Sequence, residues 1–111
     1  MYDNVFDNLA INLHQAAVEK GFWPERDEVD DIFIAKQCMM IVSEVTEVME
    51  AIRKDKGEEE ITKEFADILI RTLDLYAGAV EAGYTRLSLD QTLRDKVDFN
   101  KTRPEKHGVR F

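Results

Sequence analysis

The segment that most constrains the fold lies between residues 58 and 82, where apolar side chains recur with the period of an α-helix. A helix that is apolar over more than half of its circumference must be buried on both sides, which a small monomeric bundle does not easily achieve. We therefore expect a helical protein that forms a homo-oligomer. The apolar residues that spread round this helix are Phe65, Ala66, Ile68, Leu69, Ile70, Leu73, Leu75, Tyr76 and Ala77.

Three further helices are predicted from apolar spacing and from residues that begin or end helices. Residues 3–20 and 32–54 each carry one apolar stripe, and Gly21 and Gly57 are placed to end these helices in a left-handed conformation. Ser88-Leu89-Asp90-Gln91 has the pattern of a capping box that starts the fourth helix, and Arg103-Pro104 stops it. The sequence thus predicts an all-α domain of four helices over residues 1–111.

The charge balance limits the partners of the chain. A formal net charge of −8 repels polyanions, which argues against a nucleic acid polymer or an anionic membrane as the main partner. The segment from Lys96 to Phe111 is nevertheless basic, with five basic residues against two acidic ones. An acidic body with a basic end suits a small phosphorylated ligand, and it suits a solvated charged surface almost as well. With no apolar run long enough for a signal peptide or a membrane span, we expect a cytoplasmic protein.

Two acidic motifs lie on the second and third predicted helices. In Glu44-Val45-Thr46-Glu47 and in Glu64-Phe65-Ala66-Asp67 the acids are three residues apart, so each pair lies on one side of its helix. If the helices pack antiparallel, four carboxylates can converge, and hard cations such as Mg²⁺ prefer oxygen ligands of this kind. The competing interpretation is a solvated helix surface on which Asp67 and Arg71 form an i,i+4 ion pair.

Two residues near the start of the chain are candidate substrate contacts. Trp23 lies in the turn Gly21-Phe22-Trp23-Pro24, where it either packs as a plug at the end of the bundle or offers a stacking surface to a nucleobase. His14 lies away from the apolar stripe of the first helix, as a surface or supporting residue would, and a substrate contact is the alternative. The single Cys38 falls on the apolar face of the second helix, where we expect a buried thiol.

The fourth helix changes character along its predicted inward face. Leu89 and Leu93 begin that face, and the same spacing then brings up Lys96 and Asn100. Burying a cation and an amide without partners costs several kcal/mol, so we expect them to meet either the acids of the second and third helices or a ligand.

Taken together, the motifs resemble those of the MazG-type, all-α nucleoside triphosphate pyrophosphohydrolases. The resemblance rests on Glu44-x-x-Glu47, sixteen intervening residues, Glu64-x-x-Asp67, and then Lys96, Asn100 and Arg103-Pro104-Glu105-Lys106-His107-Gly108. It implies a four-helix fold that forms dimers or tetramers. It also implies that the four acids bind Mg²⁺, with Mn²⁺ as a substitute, and that Lys96, Asn100 and Arg103 contact the nucleotide.

One position departs from the pattern that this family shows. A second Glu directly precedes the first metal ligand in the fuller motif, and here that position is Ser43. Ser43 cannot serve as a general base, so that role is open between Glu47 and a metal-bound hydroxide, with Glu44 and Glu47 as the candidate catalytic residues.

The resemblance predicts hydrolysis of a (deoxy)nucleoside triphosphate to its monophosphate and pyrophosphate. The alternative from another class is a non-catalytic acidic helical bundle that serves as an oligomerisation or interaction module. A di-iron carboxylate bundle would need Glu-x-x-His pairs, which neither His14 nor His107 completes.

Overall fold

A computed structural model describes residues 4–103 of the chain. These residues form four α-helices and a short 3₁₀ turn, and they contain no strand. The predicted all-α class and the count of four helices are confirmed. Asp3, at the start of the first predicted helix, and the basic segment after Arg103 lie outside the described residues. The elements are α1 (Val5–Glu19), the turn Arg26–Glu28, α2 (Asp31–Arg53), α3 (Glu58–Glu81) and α4 (Leu89–Thr102).

Side chains at the N-terminal ends of α2 and α4 stabilise the first turns of those helices. The Asp30 carboxylate accepts the backbone N–H of Phe33 at 2.9 Å, and the Ser88 hydroxyl accepts that of Gln91 at 3.1 Å. Each bond satisfies a donor that the helix itself leaves unpaired.

The connection between α2 and α3 differs from the prediction. Asp55 takes the left-handed conformation after α2, with a φ of 52°, and the Lys56 N–H donates to the Ala51 carbonyl at 3.0 Å. Gly57 instead precedes α3 as its N-cap residue. The prediction that Gly57 ends α2 was therefore wrong by two residues, because the turn is short enough for one helix to end almost where the next begins.

Helix α3 packs against both α1 and α2, whereas α4 packs against α1. Ala10 of α1 and Leu73 and Ala77 of α3 form the buried core, and four partly buried side chains pack on it, Phe6, Leu13, Tyr76 and Leu89. The acidic motifs of α2 and α3 consequently lie on two helices in direct contact.

Two aspartates join the N-terminal ends of α1 and α4. Asp90, which is buried, accepts the backbone N–H groups of Phe6 at 3.1 Å and Asp7 at 2.7 Å. In return, Asp7 accepts the N–H of Leu89 at 2.8 Å and the hydroxyl of Ser88 at 2.5 Å. Each carboxylate thus caps the other helix at the positive end of its dipole, which fixes α4 on α1.

Many large apolar side chains of α2 and α3 remain exposed. An apolar groove of about 350 Å³ is lined by Val45, Val48, Met49, Ile52, Phe65 and Ile68.

Cys38 is also exposed, so the expectation of a buried thiol was wrong. The reason is that α2 packs mainly against α3, and its far side has little cover. None of the described helices combines the length and the apolar character that crossing a bilayer requires.

Candidate metal centre and adjoining cleft

Three acids of the two motifs converge between α2 and α3. One carboxylate oxygen from each of Glu44, Glu47 and Glu64 lies within 4.8 Å of the other two. The convergence follows from local structure, since both motifs lie on helices that are joined by a short turn and run back along each other.

Negative charge dominates the surroundings of Glu64 in this cluster. The pKa of the Glu64 carboxyl is raised by its hydrogen bond with Glu47, by burial, and by the negative charges of Glu47, Asp67 and Glu44. Glu44 Oε2 and Glu64 Oε2 are buried atoms without a hydrogen-bond partner among the described residues. Buried acceptors of this kind are costly, and a hard divalent cation would satisfy them. The donor set therefore fits Mg²⁺ or Mn²⁺.

Asp67 lies beside the cluster, and Arg71 pairs with Glu44 and not with Asp67, its partner in the competing surface interpretation. Asp67 and Glu44 both line the adjoining cleft. Arg71 Nε donates to Glu44 Oε1 at 2.8 Å, and the Glu44 side chain is only 13% exposed. The i,i+4 pair between Asp67 and Arg71 is not formed, because the packing of α2 on α3 brings Glu44 to the guanidinium. Arg71 is thus a site residue that sequence reasoning assigned to the surface.

A cleft of about 660 Å³ opens beside the acids, between α1, α2 and α3. Its volume is in the range of small-molecule sites in proteins. Glu44, Asp67 and Arg71 line one end, and the aromatic side chains of Phe22 and Trp23 line the other. Lys20, Lys36 and Gln37 add polar groups to its wall.

Trp23 both packs against the bundle and forms part of the cleft wall. Its Nε1–H donates to the two oxygens of Asp74, at 3.0 and 3.1 Å. Between ring centroids, its ring lies 5.0 Å from that of Phe33 and 4.5 Å from that of His14, in a T-shaped arrangement with the latter. The structure thus combines the two interpretations of Trp23, while its contact with substrate stays a prediction.

His14 is buried, with 3% of its surface exposed. Its Nδ1 lies 2.8 Å from Asp74 Oδ1 and its Nε2 lies 3.1 Å from Glu81 Oε2. Of the two expected positions, the surface one was wrong, because the face of α1 that carries His14 packs on α3, and the supporting one agrees with the structure. Both ring nitrogens already have carboxylate partners, so His14 is placed to hold Asp74, and through it Trp23.

Gly78 is a second site residue that sequence reasoning missed. A Cβ atom at this position would lie 2.1 Å from Cη2 of Trp23, so the indole occupies the space that any other residue would need. The available signal was a glycine inside a strongly helical segment, where it costs about 1 kcal/mol relative to Ala and needs a packing reason.

The candidate residues of α4 do not line the cleft in the described part of the chain. Lys96 and Asn100 are exposed, and Lys96 Nζ and Arg103 Cζ lie 5.8 and 5.6 Å from the centre of the Phe99 ring. The prediction of a buried polar face was wrong, because α4 is held on α1 through its first turn. Roles for these three residues in nucleotide binding stay predictions.

Comparison with known protein families gives a match that covers most of α2 and all of α3 and α4. The model of the MazG nucleotide pyrophosphohydrolase domain matches residues 35–103. The chain belongs to the MazG family. The matched region contains the four acids and all of α3 and α4, whereas His14 and Trp23 precede it. Neither a curated protein nor a solved structure gives a significant match.

Membership of the MazG family connects the acidic cluster to a class of chemistry. Proteins of this family are all-α, are generally nucleotide pyrophosphohydrolases, and typically depend on a metal ion. The acids of this chain that meet between α2 and α3 are the residues that suit that requirement.

Proposed function

We propose that this MazG protein hydrolyses the bond between the α- and β-phosphates of a (deoxy)nucleoside triphosphate, releasing the monophosphate and pyrophosphate. The observation that carries the proposal is the meeting of Glu44, Glu47 and Glu64 within 4.8 Å beside a cleft of nucleotide size. Family membership supports the reaction class.

Glu44, Glu47, Glu64 and Asp67 would hold Mg²⁺, with Mn²⁺ as a substitute. When bound there, such an ion activates water and offsets the charge of phosphate oxygens. Glu47 is the exposed member of the converging acids, so we assign it the general-base role that Ser43 cannot fill. Glu44 contributes by holding Arg71, whose remaining N–H groups can donate to phosphate at the same end of the cleft.

Substrate contacts divide between the two ends of the cleft. Lys20 and Lys36 line its wall and can neutralise phosphate charge. Trp23 offers an aromatic surface for stacking with the nucleobase, and His14 keeps Trp23 in place through Asp74. The position of α4 leads us to propose that Lys96, Asn100 and Arg103 contact the nucleotide in the oligomer, where α4 of one subunit meets the cleft of another.

The exposed groove between α2 and α3 supports oligomer formation, as a dimer or a tetramer. Met49 and Phe65 are large, apolar and more than half exposed, and covering such a patch is favourable. We expect Met49→Lys to lower the molar mass measured by light scattering. Asn12→Lys, on the exposed surface of α1, should leave it unchanged; equal masses for the two variants would contradict this assembly.

Pyrophosphate release from a panel of nucleoside triphosphates tests the proposed reaction. Purified protein with Mg²⁺ should consume at least one nucleotide and form equal amounts of monophosphate and pyrophosphate. Glu64→Gln and Asp67→Asn should abolish most of the rate, whereas Glu59→Gln, at an exposed acid of α3, should not. Orthophosphate as the product, or full activity in the Glu64 variant, would refute the proposal.

The second candidate function is a non-catalytic oligomerisation or interaction module, which the exposed apolar groove favours. It predicts an oligomer that binds no nucleotide in the presence of Mg²⁺. Calorimetric titration of a slowly hydrolysed triphosphate analogue into the protein with Mg²⁺ separates the two functions, because only the enzyme should bind it.

A further inference from the structure

Gln37 lies in the cleft at a fixed offset from the acidic cluster. It precedes Glu44 by seven residues on α2, so the two side chains share one face of the helix. At 1.5 Å per residue the offset is about 10.5 Å along the helix axis. This is comparable to the distance between the α-phosphate of a nucleotide and the far edge of its base. Gln37 therefore lies where a base would lie if the phosphates occupied the acidic end.

The surroundings of Gln37 leave its amide free to recognise a ligand. The side chain is half-buried in the cleft wall, and it forms no hydrogen bond with any other residue in the range 4–103. Two other polar residues of the wall are engaged, since Asp74 holds Trp23 and Arg71 holds Glu44. Gln37 is also the only amide among the described residues that line this cleft.

We propose that Gln37 recognises the hydrogen-bonding edge of the nucleobase, an inference that rests on the proposed function. A Gln amide pairs with a base edge that presents a donor beside an acceptor, as it does with adenine. Cytosine, uracil and guanine present such an edge as well, and the amide matches either order by rotating its end group. Gln37 thus accepts several bases by a two-point contact, provided that their hydrogen-bonding edge is intact.

The chemistry of a carboxylate makes the contact testable. A Glu side chain only accepts hydrogen bonds, so at position 37 it should favour guanine, whose N1–H and N2–H₂ are adjacent donors. Its negative charge should weaken the binding of every nucleotide. The ratio of guanine to the other bases is therefore the informative quantity.

The experiment compares Gln37→Glu and Gln37→Leu with the wild type on the four standard nucleoside triphosphates. We expect Gln37→Leu to lower kcat/KM about 3- to 10-fold for every base, mainly through KM. Gln37→Glu should raise the preference for guanine over the other bases by about 10-fold. Gln15→Glu, an identical change at an exposed residue of α1 outside the cleft, is the matched control and should leave the preferences unchanged.

A binding measurement keeps this inference separate from the proposed reaction. Calorimetric affinities for the four nucleoside monophosphates should show the same shift towards guanine in Gln37→Glu. An unchanged base ratio in Gln37→Glu would overturn the role of Gln37 even if the enzyme is active. Absence of pyrophosphate release by the wild type would instead refute the reaction, while the monophosphate affinities would still decide whether Gln37 contacts the base.

Discussion

Replacing Gly78 by Ala should destabilise the protein, although the substitution improves the intrinsic helix propensity of α3. A Cβ at Gly78 would lie 2.1 Å from Cη2 and 2.6 Å from Cζ3 of Trp23, distances that real contacts do not reach. The indole cannot simply shift, because its N–H is held by both oxygens of Asp74 and its ring makes a T-shaped contact with that of His14. Either the ring leaves its place or α3 moves.

The expected magnitude follows from two opposing contributions. Ala in place of Gly inside a helix stabilises by about 1 kcal/mol. Forcing extra volume into a packed contact costs about 1–3 kcal/mol, and losing a hydrogen bond to a charged group costs about 1.5–3 kcal/mol. The two costs together exceed the gain, so we expect the free energy of unfolding to fall by about 1.5–5 kcal/mol.

A double-mutant cycle with Trp23→Ala isolates the contact. Without the indole, Gly78→Ala should stabilise by about 1 kcal/mol, so the sign of its effect reverses between the two backgrounds. Urea unfolding followed by circular dichroism, at one protein concentration, gives all four free energies. The fluorescence of the single Trp of the chain also reports on this contact, because its emission should shift to the red in Gly78→Ala. A stabilisation of about 1 kcal/mol in both backgrounds would refute the packing of Trp23 on Gly78.

Two further predictions concern carboxylates outside and inside the metal cluster. Asp90→Ala removes the cap from the first turn of α1 and should lower the free energy of unfolding by about 1–2 kcal/mol in thermal or urea unfolding. Asp98→Ala, at an exposed acid of α4, should change this free energy little. Equal effects of the two substitutions would contradict the reciprocal caps. For the metal-free protein, the raised pKa of Glu64 means that the native state binds this proton more tightly than the unfolded state. Stability should therefore fall as pH rises above the usual value of 4.5 and through the raised pKa. Glu64→Gln should flatten that part of the pH profile, and an unchanged slope would contradict the clustering of the acids.

The helices were predictable because apolar spacing and capping residues are local signals. The starts of α2 and α4 match the predicted ones to within a residue or two, since Asp30 and Ser88 act on their own first turns. The end of α2 was misplaced because Asp55 and Gly57 both take positive φ values, and the sequence alone does not decide which of them ends the helix.

The acidic cluster was partly predictable for the same reason. Glu44, Glu47 and Glu64 lie on helices joined by a short turn, so their approach follows once the two helices pack together. The partner of Arg71 did not follow, because the rotation of α2 about its axis decides whether Glu44 or Asp67 meets the guanidinium. That rotation depends on packing along the whole interface.

The surroundings of His14 and of α4 depend on contacts between distant parts of the chain. His14 contacts Asp74 and Glu81, which are 60 and 67 residues away in the sequence. No local sequence pattern predicts contacts of this kind. The prediction that the polar half of α4 faces inward came from extending the spacing of Leu89 and Leu93 along the helix. That extension assumed that the helix packs along its full length, whereas the Asp7–Asp90 caps hold its first turn on α1.

Calorimetric titration of Mg²⁺ or Mn²⁺ into the metal-free protein tests most directly whether the acids of α2 and α3 form a cation site. The wild type should bind the ion saturably, Glu64→Gln should bind it more than about 10-fold more weakly, and Glu59→Gln should bind it like the wild type. No saturable binding by the wild type, or equal binding by Glu64→Gln, would contradict the assignment of a metal centre to Glu44, Glu47 and Glu64.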